Sequence, residues 1–405
     1  MNNSTNIGRA AGLAGLVLCI LPGTALAQDK PVERVTELAL SFDIRHDGNV
    51  ARGGAAQAAA RGLVRADQRF SPNVQLTLAR TAGPLTVSLS TRLGYDFYRR
   101  NTSLNRENLA FNADISGTAG PCTVYFRPSV SRRQTQLEDI VPLNSTGTAS
   151  VRNTQTVQGY GGELRCGSSF GIRPFVSGGR DIADNDNVSR QISNYRTTRY
   201  GGGLAYDNPV LGSFTASYNR SQSRYPERIG PVPQGYNSDR YGISASRSIG
   251  SQLRANASIS YTSVAPTGSA RNFRGFTWNA SATLTPTPDL RITGLIGRDV
   301  QPSLNVDALY NVNSVYDLTV DYAFSSRLSL SLNGHIEPRR YEGAGTAFGP
   351  ALTSDVRQSA SATLTLRQSP RLSFGLNGGY QRRNANGTIF DYDDVYVGLT
   401  TRFTL

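Results

Sequence analysis

Apolar and polar residues alternate along most of this chain with a period of two. Between Glu37 and Leu405, runs of about ten such residues are repeatedly cut by turns. In one run Leu328, Leu330 and Leu332 are each followed by a polar residue. A soluble sheet protein rarely keeps this alternation over a whole sequence with a mean hydropathy of −0.35. A membrane barrel requires it, because one face of each strand meets lipid and the other meets water.

Short turns rich in Pro, Gly, Ser and Asp alternate with longer, more polar loops. Outer-membrane barrels show this alternation, with the short turns on the periplasmic side. The sequence therefore predicts an all-β fold, a transmembrane antiparallel up-and-down β-barrel of about 18 strands. The second strand, placed at 71–80, is the least certain because residues 53–60 are of low complexity. A barrel of about sixteen strands stays as the alternative.

The N-terminus has the pattern of a secretory signal. Arg9 precedes an apolar stretch at 10–21, and Ala25-Leu26-Ala27 forms a small-x-small cleavage site. The apolar stretch is too short to span a membrane as an anchor. Export and the barrel pattern together predict the bacterial outer membrane as the location, with its lipid as a partner. The predicted organisation is a cleaved signal peptide at 1–27, a short periplasmic segment at 28–35 and the transmembrane barrel at 36–405.

The chain is strongly basic, with 42 Lys and Arg against 29 Asp and Glu, a formal net charge of +13. Lys30 is the only lysine, so nearly all of the positive charge is arginine. Because the arginines are spread over every strand and the protein is exported, we do not expect nucleic acid as a partner. A lumen that attracts anions accounts for the charge better. No cofactor is expected.

Two cysteines remain after the predicted signal cleavage. Cys122 begins the fifth predicted strand and Cys166 ends the sixth, so both lie at the periplasmic end of one hairpin. The alternation puts both thiols on the same face, as a cross-strand bond requires. We therefore predict a structural disulfide, with two free thiols as the alternative.

The third external loop, Gln136 to Asn153, carries the acidic residues Glu138 and Asp139. If this loop folds into the lumen, as it does in many general porins, its acids face an arginine wall and form a charge filter. A solvated surface loop is the alternative. The predicted pore-lining arginines are Arg92, Arg127, Arg133, Arg165 and Arg173.

Catalysis and metal binding find little support in the sequence. The only histidines are His46 and His335, and His335 lies at strand spacing from Ser331 and Glu337. A histidine in a Ser-rich lumen strand is commonly pore lining, and no nucleophile with a placed base can be identified. Neither histidine has further ligand residues at metal-binding spacing. We therefore expect no enzyme activity and no metal site.

The C-terminal segment Tyr396 to Phe403 resembles the signal that the outer-membrane barrel assembly machinery reads. Gly398, Thr401 and Phe403 carry this resemblance, and two further residues follow the usual final aromatic position. Over the mature chain, segments 70–73 (Phe-Ser-Pro-Asn) and 95–98 (Tyr-Asp-Phe-Tyr) resemble the outer-membrane β-barrel porins of the porin 2 type in Gram-negative proteobacteria. The resemblance implies a channel that the assembly machinery inserts.

Three functions are compatible with these patterns. The first is a passive, weakly anion-preferring pore for small hydrophilic solutes. The second is an outer-membrane portal for exopolysaccharide, since some barrels of the porin 2 type accompany polysaccharide export. The third is a structural or adhesive surface barrel. Monomers and trimers are both compatible with the sequence.

Overall fold

The computed structural model describes residues 35–134, 152–229, 234–268, 271–303, 308–342, 352–387 and 390–405. Their strands form one antiparallel sheet of 18 strands, which closes because the first strand pairs with both the second and the last. The predicted closed all-β barrel of about 18 strands is confirmed, and the sixteen-strand alternative is wrong. In the described part of the chain, no helix is both long and apolar enough to cross a membrane.

The strands are β1 Val35–Asp47, β2 Asp67–Ala82, β3 Leu85–Tyr98, β4 Arg106–Ala119, β5 Cys122–Gln134, β6 Thr154–Cys166, β7 Gly171–Asn185, β8 Tyr195–Asn208, β9 Gly212–Arg224, β10 Gly235–Ile249, β11 Leu253–Thr267, β12 Phe273–Thr287, β13 Leu290–Pro302, β14 Tyr310–Ala323, β15 Leu328–Glu342, β16 Ser354–Arg367, β17 Leu372–Ala385 and β18 Tyr392–Thr404. Within the described residues, the longer connections contain an α-helix Ala55–Ala60 and the 3-10 turns Thr102–Leu104 and Val188–Ser193.

The periplasmic hairpins are tight because their turn residues suit the geometry. Gly83 and Gly120 each have a φ of 59°, and each is followed by a proline. A two-residue hairpin turn that matches the strand twist needs a positive φ, which glycine adopts without steric cost. These turns fix the register of β2 with β3 and of β4 with β5.

The longer connections all lie at the other, extracellular end of the barrel. β2 begins at Asp67, earlier than the predicted start at residue 71, and the low-complexity segment lies in the connection before it. This β1–β2 connection, residues 48–66, is as long as the β5–β6 connection at 135–153. The third external loop is therefore not uniquely long.

Large apolar side chains lie on the outside of the barrel, as a lipid environment requires. In β18, Val395, Val397 and Leu399 are 63%, 52% and 60% exposed, whereas the preceding Asp394, which points to the opposite face, is 2% exposed. This is the reverse of a soluble protein, in which such residues would be buried. Outward aromatic side chains lie where the outward apolar residues of a strand give way to polar ones. The Tyr218 and Tyr241 rings, for example, are 4.8 Å apart, and the next outward residues toward the extracellular end are Arg220 and Asp239. These aromatic side chains form the interfacial girdles that flank a membrane-spanning apolar band.

Candidate functional site: the lumen and its extracellular mouth

The lumen wall is built from the inward positions of the strands, which are small and polar. Polar groups pair across neighbouring strands while staying partly exposed: Asn256 donates to the Ser281 hydroxyl at 3.3 Å, and the Thr283 and Thr293 hydroxyl oxygens lie 3.4 Å apart. Such a surface is wetted rather than packed, and a barrel of this strand number encloses an aqueous space.

Three of the predicted lumen arginines pair with carboxylates of the wall itself. Arg127 Nε lies 2.9 Å from Asp114 Oδ2, and Arg165 donates to Glu163 at 2.9 Å. The third arginine, Arg173, donates from Nε to Asp207 at 2.9 Å. These arginines are therefore partly neutralised by their own strands.

The acids expected to face this wall, Glu138 and Asp139, lie outside the described residues. The charge filter between that loop and the arginines therefore stays a prediction. Arg133 occupies an inward position of β5 opposite Gln155 and interacts with other groups of the chain. Arg92 lies opposite Gln75, which also accepts a hydrogen bond from Arg402 at 3.2 Å.

Three further inward arginines lie near the periplasmic end of the lumen: Arg254, Arg291 and Arg367. Within the described ranges, no carboxylate lies within 4.0 Å of their guanidinium groups. Sequence reasoning did not single them out. The signal was available, because strand parity places all three inward within one or two residues of a short turn.

The inward histidine His335 belongs to a polar network of the wall. Its Nδ1 lies 3.0 Å from Asp317 Oδ2, and its Nε2 lies 4.0 Å from Glu337. Ser331 donates instead to Asp321 at 2.7 Å. The serine and histidine considered in the sequence therefore have separate carboxylate partners and do not form a nucleophile–base pair.

The extracellular mouth contains an apolar cluster that strand alternation does not predict. We call it the mouth cluster; its members are Tyr225, Arg228, Ala308, Leu309, Leu352 and Phe390. Tyr225 Oη donates to the Leu309 carbonyl at 2.7 Å. Arg228 donates to the Ala308 carbonyl at 3.1 Å and to the Ile192 carbonyl at 3.1 Å. Connections β7–β8, β9–β10 and β13–β14 are thereby joined.

Ala308 and Leu309 form the centre of this cluster, and both are 0% exposed. Ala308 packs with Leu352 and Phe390, which come from the β15–β16 and β17–β18 connections. The connection between β13 and β14 thus contacts both the loop that follows β9 and the loop that precedes β18. A connection can make both sets of contacts only by lying across the opening, so the mouth cluster narrows the entrance to the lumen.

The β1–β2 connection also lies near this assembly. Burial and the neighbouring Arg61 guanidinium together lower the pKa of Arg190 to about 10. Arg190 lies in the β7–β8 connection and Arg61 in the β1–β2 connection, so these two loops approach each other. Burial also raises the pKa of the Tyr225 hydroxyl to about 12.

Below the mouth cluster, the wall holds a buried ion network centred on Asp355. Arg339 donates to both carboxylate oxygens of Asp355, at 2.8 and 2.5 Å, and Arg383 donates to Oδ2 at 2.5 Å. The side chains of Asp355 and Arg383 are 0% exposed and that of Arg339 is 5% exposed. Tyr341, which packs against the mouth cluster, adds a longer contact to the same carboxylate.

At the periplasmic end, Cys122 and Cys166 are bonded to each other. They are direct partners in the register of β5 with β6, and their separation along the chain is 44 residues. The bond therefore closes the hairpin whose loop is the third external loop.

The residues that resemble an assembly signal lie in β18, next to the closing seam with β1. Gly398 faces Arg45 of β1 and Asn377 of β17. A Cβ atom at this glycine would lie 2.7 Å from the Asn377 side chain and 3.0 Å from the Ile44 carbonyl oxygen. The glycine thus has a packing role, while recognition of Gly398, Thr401 and Phe403 by the assembly machinery stays a prediction.

Residues 208–405 match the family model described as "Putative beta-barrel porin 2". The resemblance to this family is confirmed over that part of the chain. No curated protein matches the sequence.

Solved outer-membrane barrels resemble the chain at low identity. OccK2 (OpdF) of Pseudomonas aeruginosa in complex with glucuronate is 12% identical, with a TM-score of 0.46, over 91% of this chain and 98% of its own. A BenF-like porin from Pseudomonas fluorescens Pf-5 is 13% identical, with a TM-score of 0.45, over 91% of this chain and 99% of its own. The siderophore receptor PirA of Pseudomonas aeruginosa is 11% identical, with a TM-score of 0.40, over 92% of this chain and 81% of its own.

The family match agrees with the exposed apolar band and aromatic girdles of the barrel. The protein is a porin-like barrel of the outer membrane, embedded in its lipid. The family match over residues 208–405 and the fold point to a channel rather than to an enzyme.

Proposed function

We propose that this chain, whose residues 208–405 match the family model described as a beta-barrel porin 2, is a passive channel for small hydrophilic solutes with a weak preference for anions. The observation that supports this proposal is the set of inward arginines Arg254, Arg291 and Arg367, which have no carboxylate partner among the described residues. A lumen lined by hydroxyl and amide groups supplies the aqueous path.

The preference for anions follows from which charges are already compensated. Arg127 and Arg165 each face a carboxylate within 2.9 Å, so their fields largely cancel at the distance of a passing ion. Arg254 and Arg367, which have no acidic cross-strand neighbour among the described residues, leave a positive potential near the periplasmic end, whereas Arg291 lies opposite Asp321. Charged groups that line a narrow, low-dielectric passage raise the local concentration of ions of opposite sign.

The mouth cluster supports small solutes over a polymer. A polysaccharide in transit must pass the same opening that Leu309 and Phe390 help to fill. The exopolysaccharide portal therefore requires the β13–β14 connection to leave its site, which the passive pore does not require. No contact of the described residues favours the adhesive barrel.

Two parts of the proposal concern how the barrel reaches the membrane. Residues 1–27 act as the export signal, and the machinery that inserts outer-membrane barrels recognises the β18 residues Gly398, Thr401 and Phe403. Truncation of residues 1–27 with loss of export, and accumulation of a Phe403→Ala variant in the periplasm, are the results expected.

The test is ion selectivity in planar bilayers. We expect the triple variant R254Q/R291Q/R367Q to lower the ratio of chloride to potassium permeability about twofold or more, because it removes the uncompensated charge. The reversal potential in a KCl gradient reports this ratio directly. An unchanged ratio would contradict the proposal.

A matched control removes the same charge from the outside of the barrel. The variant R274Q/R340Q/R382Q replaces three arginines at outward positions of β12, β15 and β17. Its permeability ratio should equal that of the wild type. An equal shift in both variants would mean that net charge, and not the lumen, sets the selectivity.

A further inference from the structure

A group of arginines lies on the outer surface of the barrel, at outward positions of three adjacent strands. We call it the basic patch; it consists of Arg180 of β7, Arg196 of β8, and Arg220 and Arg224 of β9. Strand parity places them on the same side as the lipid-facing tyrosines Tyr200 and Tyr218. The basic patch therefore faces the surroundings of the barrel and not the lumen.

Two members of the basic patch oppose each other directly. Arg196 and Arg224 are cross-strand partners in the register of β8 with β9. Like charges at such positions destabilise a sheet unless a counter-ion sits between them. Within the ranges that the structure describes, neither arginine has a carboxylate at ion-pair distance. Arg224 donates instead to the carbonyl of Ser223 at 3.0 Å and to the Asn237 amide oxygen at 3.1 Å.

An outward arginine elsewhere on the same rim is neutralised by protein carboxylates. Arg132 of β5 lies 2.6 Å from Glu107 and 2.8 Å from Asp186. In the basic patch, the corresponding contact is that of Arg220 with Asp239, at 3.8 Å, and that carboxylate also accepts the Tyr218 hydroxyl at 2.7 Å. The basic patch thus retains positive charge that no carboxylate of the described residues compensates fully.

The patch lies immediately above the membrane-spanning band. Arg220 occupies the first outward position beyond Tyr218 on the extracellular side, and Arg196 the second beyond Tyr200. Tyrosines in such a girdle mark the level of the lipid headgroups. The guanidinium groups are therefore at the height of the headgroup phosphates of the outer leaflet.

An apolar groove runs down the lipid-facing surface directly below the patch. It has a volume of about 610 Å³, and small residues, Gly202 and Ala216, form its floor. Its lower part is lined by Leu204, Ile243 and Ile259, and the cross-strand row of Tyr218, Tyr241 and Tyr261 lines the end nearest the patch. An aliphatic chain fits such a groove, since every outward side chain that lines it is apolar or aromatic.

We propose that the basic patch and the groove together bind one phosphorylated lipid of the outer leaflet. The headgroup phosphate lies between Arg196 and Arg224, where a bidentate guanidinium contact to each is favourable. One acyl chain lies against Gly202 and Ala216. The like-charged pair is then explained, because the lipid phosphate supplies the missing counter-charge.

The test is lipid binding by the full barrel in detergent micelles, measured by native mass spectrometry with diphosphorylated lipid A as the probe. We expect the variant R196Q/R224Q to weaken binding about 30-fold, since each basic residue at an anionic surface contributes roughly 1 kcal/mol, a five- to sixfold effect. The control variant R99Q/R132Q removes two outward rim arginines outside the patch. It should retain wild-type affinity, and an equal loss in both variants would overturn the proposal.

Further arms separate the parts of the ligand. Enzymatically dephosphorylated lipid A should bind equally to the wild type and to R196Q/R224Q, because neither complex contains the phosphate contact. A clear difference in affinity between the two proteins would refute that contact. Excess inorganic phosphate should leave lipid A bound, and displacement would mean a free-phosphate site instead of a lipid site. The variant A216F fills the groove and should also lose affinity; wild-type affinity in A216F would refute the acyl-chain contact.

Folding is checked separately in each variant. Without lipid, R196Q/R224Q should be at least as stable as the wild type, because it removes a like-charged pair. A purely structural role of these arginines predicts the reverse, a less stable barrel.

Discussion

The buried carboxylate of Asp355 should be one of the most sensitive single positions in the barrel. The variant Asp355→Asn keeps the shape of the side chain and removes the negative charge that Arg339 and Arg383 share. Removal of one partner from a buried ion pair costs about 3–5 kcal/mol, because it leaves an uncompensated charge out of water. Two guanidinium groups are affected here, and both are nearly inaccessible. We therefore expect a loss at the upper end of that range.

Equilibrium unfolding in urea, with the protein folded into lipid vesicles, measures this loss. The chain has a single tryptophan, Trp278, at an outward position of β12, so its fluorescence reports the transfer from lipid to water. The urea midpoint should fall by an amount that corresponds to a loss of about 5 kcal/mol in the free energy of unfolding, while the steepness of the transition stays the same.

The control for this prediction makes the same substitution at an exposed pair. Asp114 contacts Arg127 at 2.9 Å, but their side chains are 50% and 40% exposed. Water and salt screen such a pair, so Asp114→Asn should cost no more than about 1 kcal/mol. If the two variants lose the same stability, burial is not what makes the Asp355 network important, and the reasoning fails.

Two further predictions concern the mouth and the periplasmic hairpin. Burial raises the pKa of Tyr225 to about 12. The protonated hydroxyl therefore stabilises the closed mouth fully below about pH 10, the ordinary pKa of tyrosine, and this stabilisation is lost as the pH rises through about 12. Single-channel conductance of the wild type should therefore rise over this window, by more than in Tyr225→Phe, and equal rises would exclude Tyr225 as a contributor. Reduction of the Cys122–Cys166 bond should lower the free energy of unfolding by about 2–4 kcal/mol, given the 44-residue separation. The same reductant should leave a C122A/C166A variant unaffected, and an effect there would assign the change to something other than the disulfide.

The strand architecture could be predicted because lipid and water impose one strict rule on every strand. A shift of one residue would put each apolar side chain into the lumen, so the period of two determines both the strands and their faces. The rule places His335 on the lumen side and puts both cysteines on one face and at one level. It also locates most turns, since glycine and proline fall where the alternation stops.

The ion partners of the lumen arginines were harder to predict, although part of the information was present. Asp114 and Arg127 lie on strands joined by the tight turn at Gly120, and that turn fixes their register. Arg339 and Asp355, in contrast, belong to strands joined by a long connection. Nothing in the sequence of that connection sets which residues face each other.

The mouth cluster could not be predicted from periodicity, because its residues lie where strand alternation ends. Leu309, Leu352 and Phe390 lie in connections whose sequences contain other apolar residues, such as Val306, Phe348 and Ile389, so their apolar character alone does not mark them. Their contacts depend on the path of each loop across the opening. That path is set by tertiary packing among several loops and not by the local sequence of any one of them.

The way these loops are tied together has a consequence for events outside the cell. Tyr225, Arg228 and Ala308 belong to a shared lattice of hydrogen bonds, so a displacement of one connection cannot be confined to that connection. An antibody or phage fibre that grips a single surface loop would strain the neighbouring ones as well. The ionic current through the barrel would then change when a particle attaches to the outer face, because strain in one connection reaches the others around the opening.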